Sequence, residues 1–228
     1  MEYILLFLLT FQAFFSFGQF AMIADKDGHC NVRKEGKAGN NVVDTLGNGH
    51  LIYCMETKDK WINIDYSKKK RGCNGYVYRD RIKMISDYDS IPTKTDQVNA
   101  FTLGKDSVEI LITSQKFDKT KYRFSYGKDN QSDIQMINGK PYWGTDGEQP
   151  KTEYKSISII MGKRKIILPR SALENLFEPT LFHSYANYDR ENDILYVGSS
   201  NSDGAGGYEV IWKIEKGVYT ERYVAYGF

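Results

Sequence analysis

Apolar and polar residues alternate along most of this chain in short runs, and Gly, Asn, Asp and Lys punctuate the runs. A period of two puts one set of side chains on each face of a strand, so the pattern predicts β-structure. In the first third the runs are Cys30-Asn31-Val32-Arg33, Val42 to Leu46, Leu51 to Cys54, Trp61 to Ile64 and Gly75-Tyr76-Val77. Gly36 to Asn41 is a loop by composition, and Gly47-Asn48-Gly49 supplies a tight turn with glycine free to take positive φ. Ser67 to Arg71 joins the Trp61 and Gly75 strands, and Tyr78 to Ile82 reads as one helical turn before a closing strand.

The pattern resumes near Val98. Val108, Ile110 and Ile112 alternate; Ile137-Asn138-Gly139-Lys140 carries the Asn-Gly turn signal; Ile157, Ile159 and Met161 turn at Gly162-Lys163-Arg164 into Ile166-Ile167-Leu168. Ile194 to Val197 is a short buried-type strand. Tyr208, Val210, Trp212 and Ile214 share one face with Glu209 and Lys213 opposite, and Glu215-Lys216-Gly217 leads into a last strand, Val218 to Ala225. Hairpin spacing implies mainly antiparallel pairing with one solvated sheet face. Ser171-Ala172-Leu173-Glu174 has the form of a capping box, with Leu176 and Phe177 at helical spacing and Pro179 as a stop, so a helix of two turns is expected. The fold class is all-β: a small barrel followed by a mainly antiparallel β domain with one short helix. The expected boundaries are a barrel over 19–86, a linker over 87–97 that is poor in apolar residues, and a second domain over 98–228.

The chain has 228 residues, enough for one large or two small domains. Ile4 to Phe17 is an apolar run too short for a bilayer span, which takes roughly 20 apolar residues. Ser16-Phe17-Gly18 ends it with small residues, as a secretory leader over 1–18 would. The leader lacks Lys and Arg, which departs from the usual leader pattern. No second run is long enough for a membrane helix, so an exported protein without stable membrane insertion is expected. Net charge is +2, but residues 19–86 hold 13 Lys and Arg against 8 Asp and Glu, while 87–228 hold 18 against 20 and Glu2 adds the last negative charge. Much of the basic excess is Lys68-Lys69-Lys70-Arg71, read as a solvated hairpin tip. No interleaved aromatic and basic motif points to nucleic acid. Cys30, Cys54 and Cys73 all lie in the first domain, and spacing does not select a pairing among them.

The first domain resembles the bacterial SH3 domain. The Asn31-Val32-Arg33 triplet, Val43-x-Thr45-Leu46, Trp61 and Gly75-Tyr76-Val77 follow that family's order and spacing over about a quarter of the chain. The resemblance implies a binding module of the cell envelope whose partner is a cell-wall peptide or glycan, or an envelope protein. It marks Trp61 and Tyr76 as the characteristic aromatics. Tyr53, Tyr66 and Tyr78 join them as candidate groove residues, since tyrosine offers a flat apolar face and a hydroxyl.

Catalytic constellations are harder to assemble. The second domain has no cysteine, and its one histidine is His183, which excludes a Cys–His pair within it. His183 with Asp189 or Asp193 lacks a Gly-x-Ser-x-Gly elbow. His29, Cys30, His50, Cys54 and Cys73 show no zinc spacing. Glu153, Glu174 and Glu178 read as a strand residue, a cap and a helix end, although paired carboxylates are what a cell-wall hydrolase would use. Two loops stand apart: Gly144 to Pro150, and Ser199 to Gly207. They fit neither an EF-hand nor a phosphate loop, and read as glycine-permitted hairpin loops. The pair is similar to segments of small exported bacterial proteins, some taken to inhibit envelope-degrading toxins. The expectation is therefore a non-catalytic, cofactor-free binding protein whose second domain presents a recognition surface of inhibitor or immunity type.

Overall fold

A computed structural model describes residues 19–69, 71–127 and 132–227; the expected leader over 1–18 lies outside the described residues, as does Lys70 of the basic run. The first sheet holds β1 (Gln19–Ile23), β2 (His29–Arg33), β3 (Val42–Gly47), β4 (Leu51–Lys58), β5 (Trp61–Lys68), β6 (Arg71–Tyr78) and β7 (Ile82–Met84). Its order is β3-β2-β6-β5-β4-β1-β7, antiparallel throughout, and it curls into a half-barrel. A 3-10 turn over Arg79–Arg81 precedes β7, where a single helical turn is expected. Alternation sets the core: Ile62, Ile64 and Tyr66 of β5 point inward, against Ala21, Ile23, Val32, Ile52 and Val77. Gly75 allows β2 to cross β6, since a Cβ there would lie 2.5 Å from Val32 Cγ1 and 2.8 Å from the Arg33 carbonyl oxygen.

The rest of the chain forms two five-stranded antiparallel sheets and a small hairpin. Its strands are β8 (Asp89–Ser90), β9 (Thr93–Gln97), β10 (Ala100–Lys105), β11 (Val108–Lys116), β12 (Phe124–Tyr126), β13 (Ile134–Ile137), β14 (Thr152–Met161), β15 (Arg164–Ile167), β16 (Ser184–Asp189), β17 (Ile194–Asn201), β18 (Tyr208–Glu215) and β19 (Val218–Tyr226). One sheet runs β15-β14-β11-β10-β9, the other β19-β18-β17-β16-β8, and β12 pairs with β13. The two large sheets share a core in which Ile110, Ile157 and Ile159 meet Val197, Val210 and Trp212. The polar ends of its buried aromatics are satisfied: Trp212 Nε1 donates to the Ala172 carbonyl at 2.7 Å, and the Tyr154 hydroxyl to Asn201 Oδ1 at 2.9 Å. The turns at Asn138-Gly139, Gly162-Lys163 and Lys216-Gly217 fall where the sequence places them.

Three expectations are corrected. The helix over 171–178 does not form; only a 3-10 turn occupies Arg170–Ala172, and no described helix is longer than three residues. The reason lies in two adjacent side chains. Leu176 feeds the core between the large sheets, while Phe177 packs under the β12–β13 hairpin with Ile134 and Ile137. Neighbours pointing to opposite sides require extended backbone, and here Phe177 N–H donates to the Trp143 carbonyl at 3.0 Å. A helix this short has little intrinsic stability to set against those contacts. Next, the stretch 87–97 does not act as a bare linker: β8 and β9 are edge strands of the two large sheets, and Ile91 between them is buried. Finally, the β17–β18 face opposite Trp212 is not solvated. Tyr196, Ile211 and Ala225 pack there on Phe20, Met22, Leu51 and Tyr53, so an apolar core joins the half-barrel to the rest of the chain.

Candidate functional site

The half-barrel carries a cleft of about 370 Å³ beside the start of β5. Trp61 and Tyr78 face each other across the β5–β6 ladder, their rings 5.2 Å apart and nearly perpendicular. The Arg33 guanidinium lies over the Trp61 ring at 5.7 Å, a cation–π geometry. Arg33 is fixed from behind, donating to the Gly39 carbonyl at 2.6 Å and to Asn41 Oδ1 at 2.9 Å. The β2–β3 loop closes over the ring, where a Cβ on Gly36 would lie 3.1 Å from Trp61 Cβ and 3.3 Å from Tyr76 Cδ1.

An acidic and basic pair forms the opposite wall. Arg81 NH1 donates to both oxygens of Asp25 at 2.7 Å, and Asn48 bonds the Asp25 backbone on both sides. The Asp27 amide and then Arg81 hold the Asp25 carboxyl below its usual range. Asp27, largely exposed at the rim, lies 3.5 Å from the same Arg81 guanidinium. The cleft thus offers an edge-to-face aromatic pair, two guanidinium groups and two carboxylates, a surface suited to an extended polar chain.

Of the aromatics read from the sequence, Trp61 and Tyr78 line this cleft and Tyr76 adjoins Trp61 beneath Gly36. Tyr53 and Tyr66 lie elsewhere, each 2% exposed. Tyr53 packs on Phe20 in the joining core, and Tyr66 fills the half-barrel with its hydroxyl on Asp44 Oδ2 at 3.0 Å. Arg33, Asp25 and Arg81 also line the cleft, which the aromatic pattern does not indicate. Arg33 closes the Asn31-Val32-Arg33 triplet and was legible there; the Asp25–Arg81 pair spans 56 positions and left no local signal.

The second module brings its two unusual loops together. Gly144 N–H donates to the Gly206 carbonyl at 3.2 Å, and Ser202 Oγ to the Gly144 carbonyl at 2.8 Å. They border an open cleft of about 810 Å³ with Asp146, Glu148 and Asp203 on its rim. Among the described residues no group of three or more His, Cys, Asp or Glu is placed to hold a metal ion, and this includes the zinc candidates of the half-barrel. Glu153 and Glu174 line one smaller recess of about 250 Å³. Glu153, almost wholly buried, accepts from Gln115 at 2.7 Å and from Tyr122, with Arg170 3.4 Å away; Glu174 pairs with Lys140 at 3.0 Å. His183 is exposed in a 3-10 turn. The three cysteines are free thiols, and burial lifts Cys54 to about 12 and Cys30 upward, which keeps both protonated at neutral pH.

Comparison of the chain with family models, with characterised proteins and with solved structures finds no match to any of the three.

Proposed function

We propose that this chain is an exported, non-catalytic binding protein whose SH3-like first module holds cell-envelope material in the Trp61 cleft. The observation that carries the reading is the Trp61–Tyr78 pair capped by Arg33, with the Asp25–Arg81 wall opposite. Aromatic rings set beside fixed charges bind an extended peptide through face contact and charge-assisted hydrogen bonds. The peptide stems of peptidoglycan, which carry both amino and carboxyl groups, are the first ligand to test. The second module supplies a further recognition surface of inhibitor or immunity type, centred on its paired loops.

Purified sacculi are expected to retain the protein, and Trp61→Ala to lose most of that retention, since truncating a central aromatic anchor costs about 2 kcal/mol or more of binding. Trp61 is only half-buried, so the variant keeps its fold by circular dichroism. Equal retention of both proteins, or of neither, removes the reading.

The rival reading is a cell-wall hydrolase with paired carboxylates, and one observation favours it: Glu153 and Glu174 share a recess. Both are already engaged by cations, Arg170 and Lys140, which argues for a structural cluster. Clearing of a peptidoglycan suspension that disappears in Glu153→Gln would establish the hydrolase instead.

A further inference from the structure

The register of β16, β17 and β18 puts Tyr185, Ser200 and Glu209 on the face turned toward β1. Gly198 stands directly across from Tyr185, and a Cβ there would collide with the hydroxyl end of the tyrosine ring. The ring therefore lies flat across bare backbone of β17. Phe20 of β1 and Ile85, just after β7, close the space from the other module. The result is a cleft of about 450 Å³ between the two modules, lined by Phe20, Ile85, Tyr185, Asn187, His183 and Glu209 among others. Its size falls in the range of small-molecule sites, which are mostly apolar with a few placed polar groups.

Of those polar groups, one carboxyl lacks a cation and one hydroxyl lacks a hydrogen bond. Glu209 is half-buried and forms no ion pair among the described residues. Its carboxyl is raised by burial, with a hydrogen bond from Ser200 acting the other way. Lys213, four residues along the same strand, is held by Glu215 at 2.7 Å and Glu221 at 3.7 Å. The Tyr185 hydroxyl has no hydrogen-bond partner among the described residues. A carboxylate left without a cation beside apolar walls is costly, and such groups cluster at binding sites.

We propose that the cleft between the modules binds a small organic ammonium ion, its apolar body on Phe20, Ile85 and Tyr185 and its charged head on Glu209. The ammonium donates to the Glu209 carboxylate and lies against the Tyr185 ring, which adds a cation–π contact. Besides His183 no basic side chain among the described residues lines the cleft, so an anion meets the Glu209 charge with little to offset it. This site shares no lining residue with the Trp61 cleft, so the inference stands apart from the proposed function.

Isothermal titration with tryptamine tests it, with indole-3-propionate as the charge-reversed partner of the same ring. Tryptamine is expected to bind saturably and indole-3-propionate not to bind. Glu209→Gln, which keeps the side-chain size and removes the charge, is expected to weaken tryptamine about tenfold or more. Equal binding of both indoles by the unaltered protein overturns the proposal, and this comparison needs no variant. So does undiminished affinity in Glu209→Gln, or no saturation up to about 10 mM tryptamine.

Discussion

Asp25 shows how one side chain sets the shape of the Trp61 cleft. It ties the β1–β2 loop to the 3-10 turn before β7 through Arg81, and Asn48 secures its backbone. Its carboxyl sits below the ordinary value of 3.8 because the ionised form accepts from the Asp27 amide and from Arg81. A depressed acid adds stability above the unfolded pKa, and that stability is lost as pH falls through the folded one. Asp25→Asn is therefore expected to lower the melting temperature at neutral pH and to converge with the unaltered protein in strong acid. A constant gap at every pH would show that the charge plays no part. Single residues of this kind were only partly legible in the sequence. Trp61 and Tyr78 announce themselves as aromatics at strand ends. Tyr53 and Tyr66 carry the same signal, yet both are buried, because alternation gives the face of a strand and not what covers that face.

Among the elements, strands and turns followed the pattern closely, since period-two alternation and Asn-Gly or Gly-Lys turns are local properties. The β14–β15 and β18–β19 hairpins are the clearest cases. The segment 171–178 broke the rule because its form is set by partners distant in sequence. Leu176 bridges Trp143 and Phe177 bridges Glu153. Glu178, expected at a helix end, instead accepts from the Lys151 and Thr152 amides and from Thr152 Oγ1. Glu178→Ala strips three donors of their acceptor and is expected to cost about 1–3 kcal/mol in denaturant unfolding. Far-UV circular dichroism is expected to show no loss of helix, and a helical signal that vanishes with the substitution would contradict the extended form. The stretch 87–97 departs from the expected linker for the same reason: its polar residues suit edge strands as well as linkers, and Ile91 alone signals burial.

At the scale of the whole molecule, the half-barrel and the two-sheet body share a core. Sequence could not reveal it, because a face that meets another module and a face that meets water both begin as alternating strands. Ile211 lies in that core and is fully buried, so Ile211→Ala is expected to cost about 2–5 kcal/mol. Calorimetry is expected to show one transition, moved as a unit by the substitution. Two transitions, with only one of them moved, would mean that the modules unfold separately. This rigid junction holds the Trp61 cleft in a fixed relation to the loops of the second module, which suits a protein that works by holding a partner. The most direct measurement of that claim is an amide NMR titration with soluble muropeptides released from sacculi. The account predicts shifts concentrated at Asp25, Arg33, Trp61 and Tyr78, with the muropeptides recovered intact. Shifts centred on Glu153 and Glu174 with shortened glycan products, or no shifts at all, would contradict it.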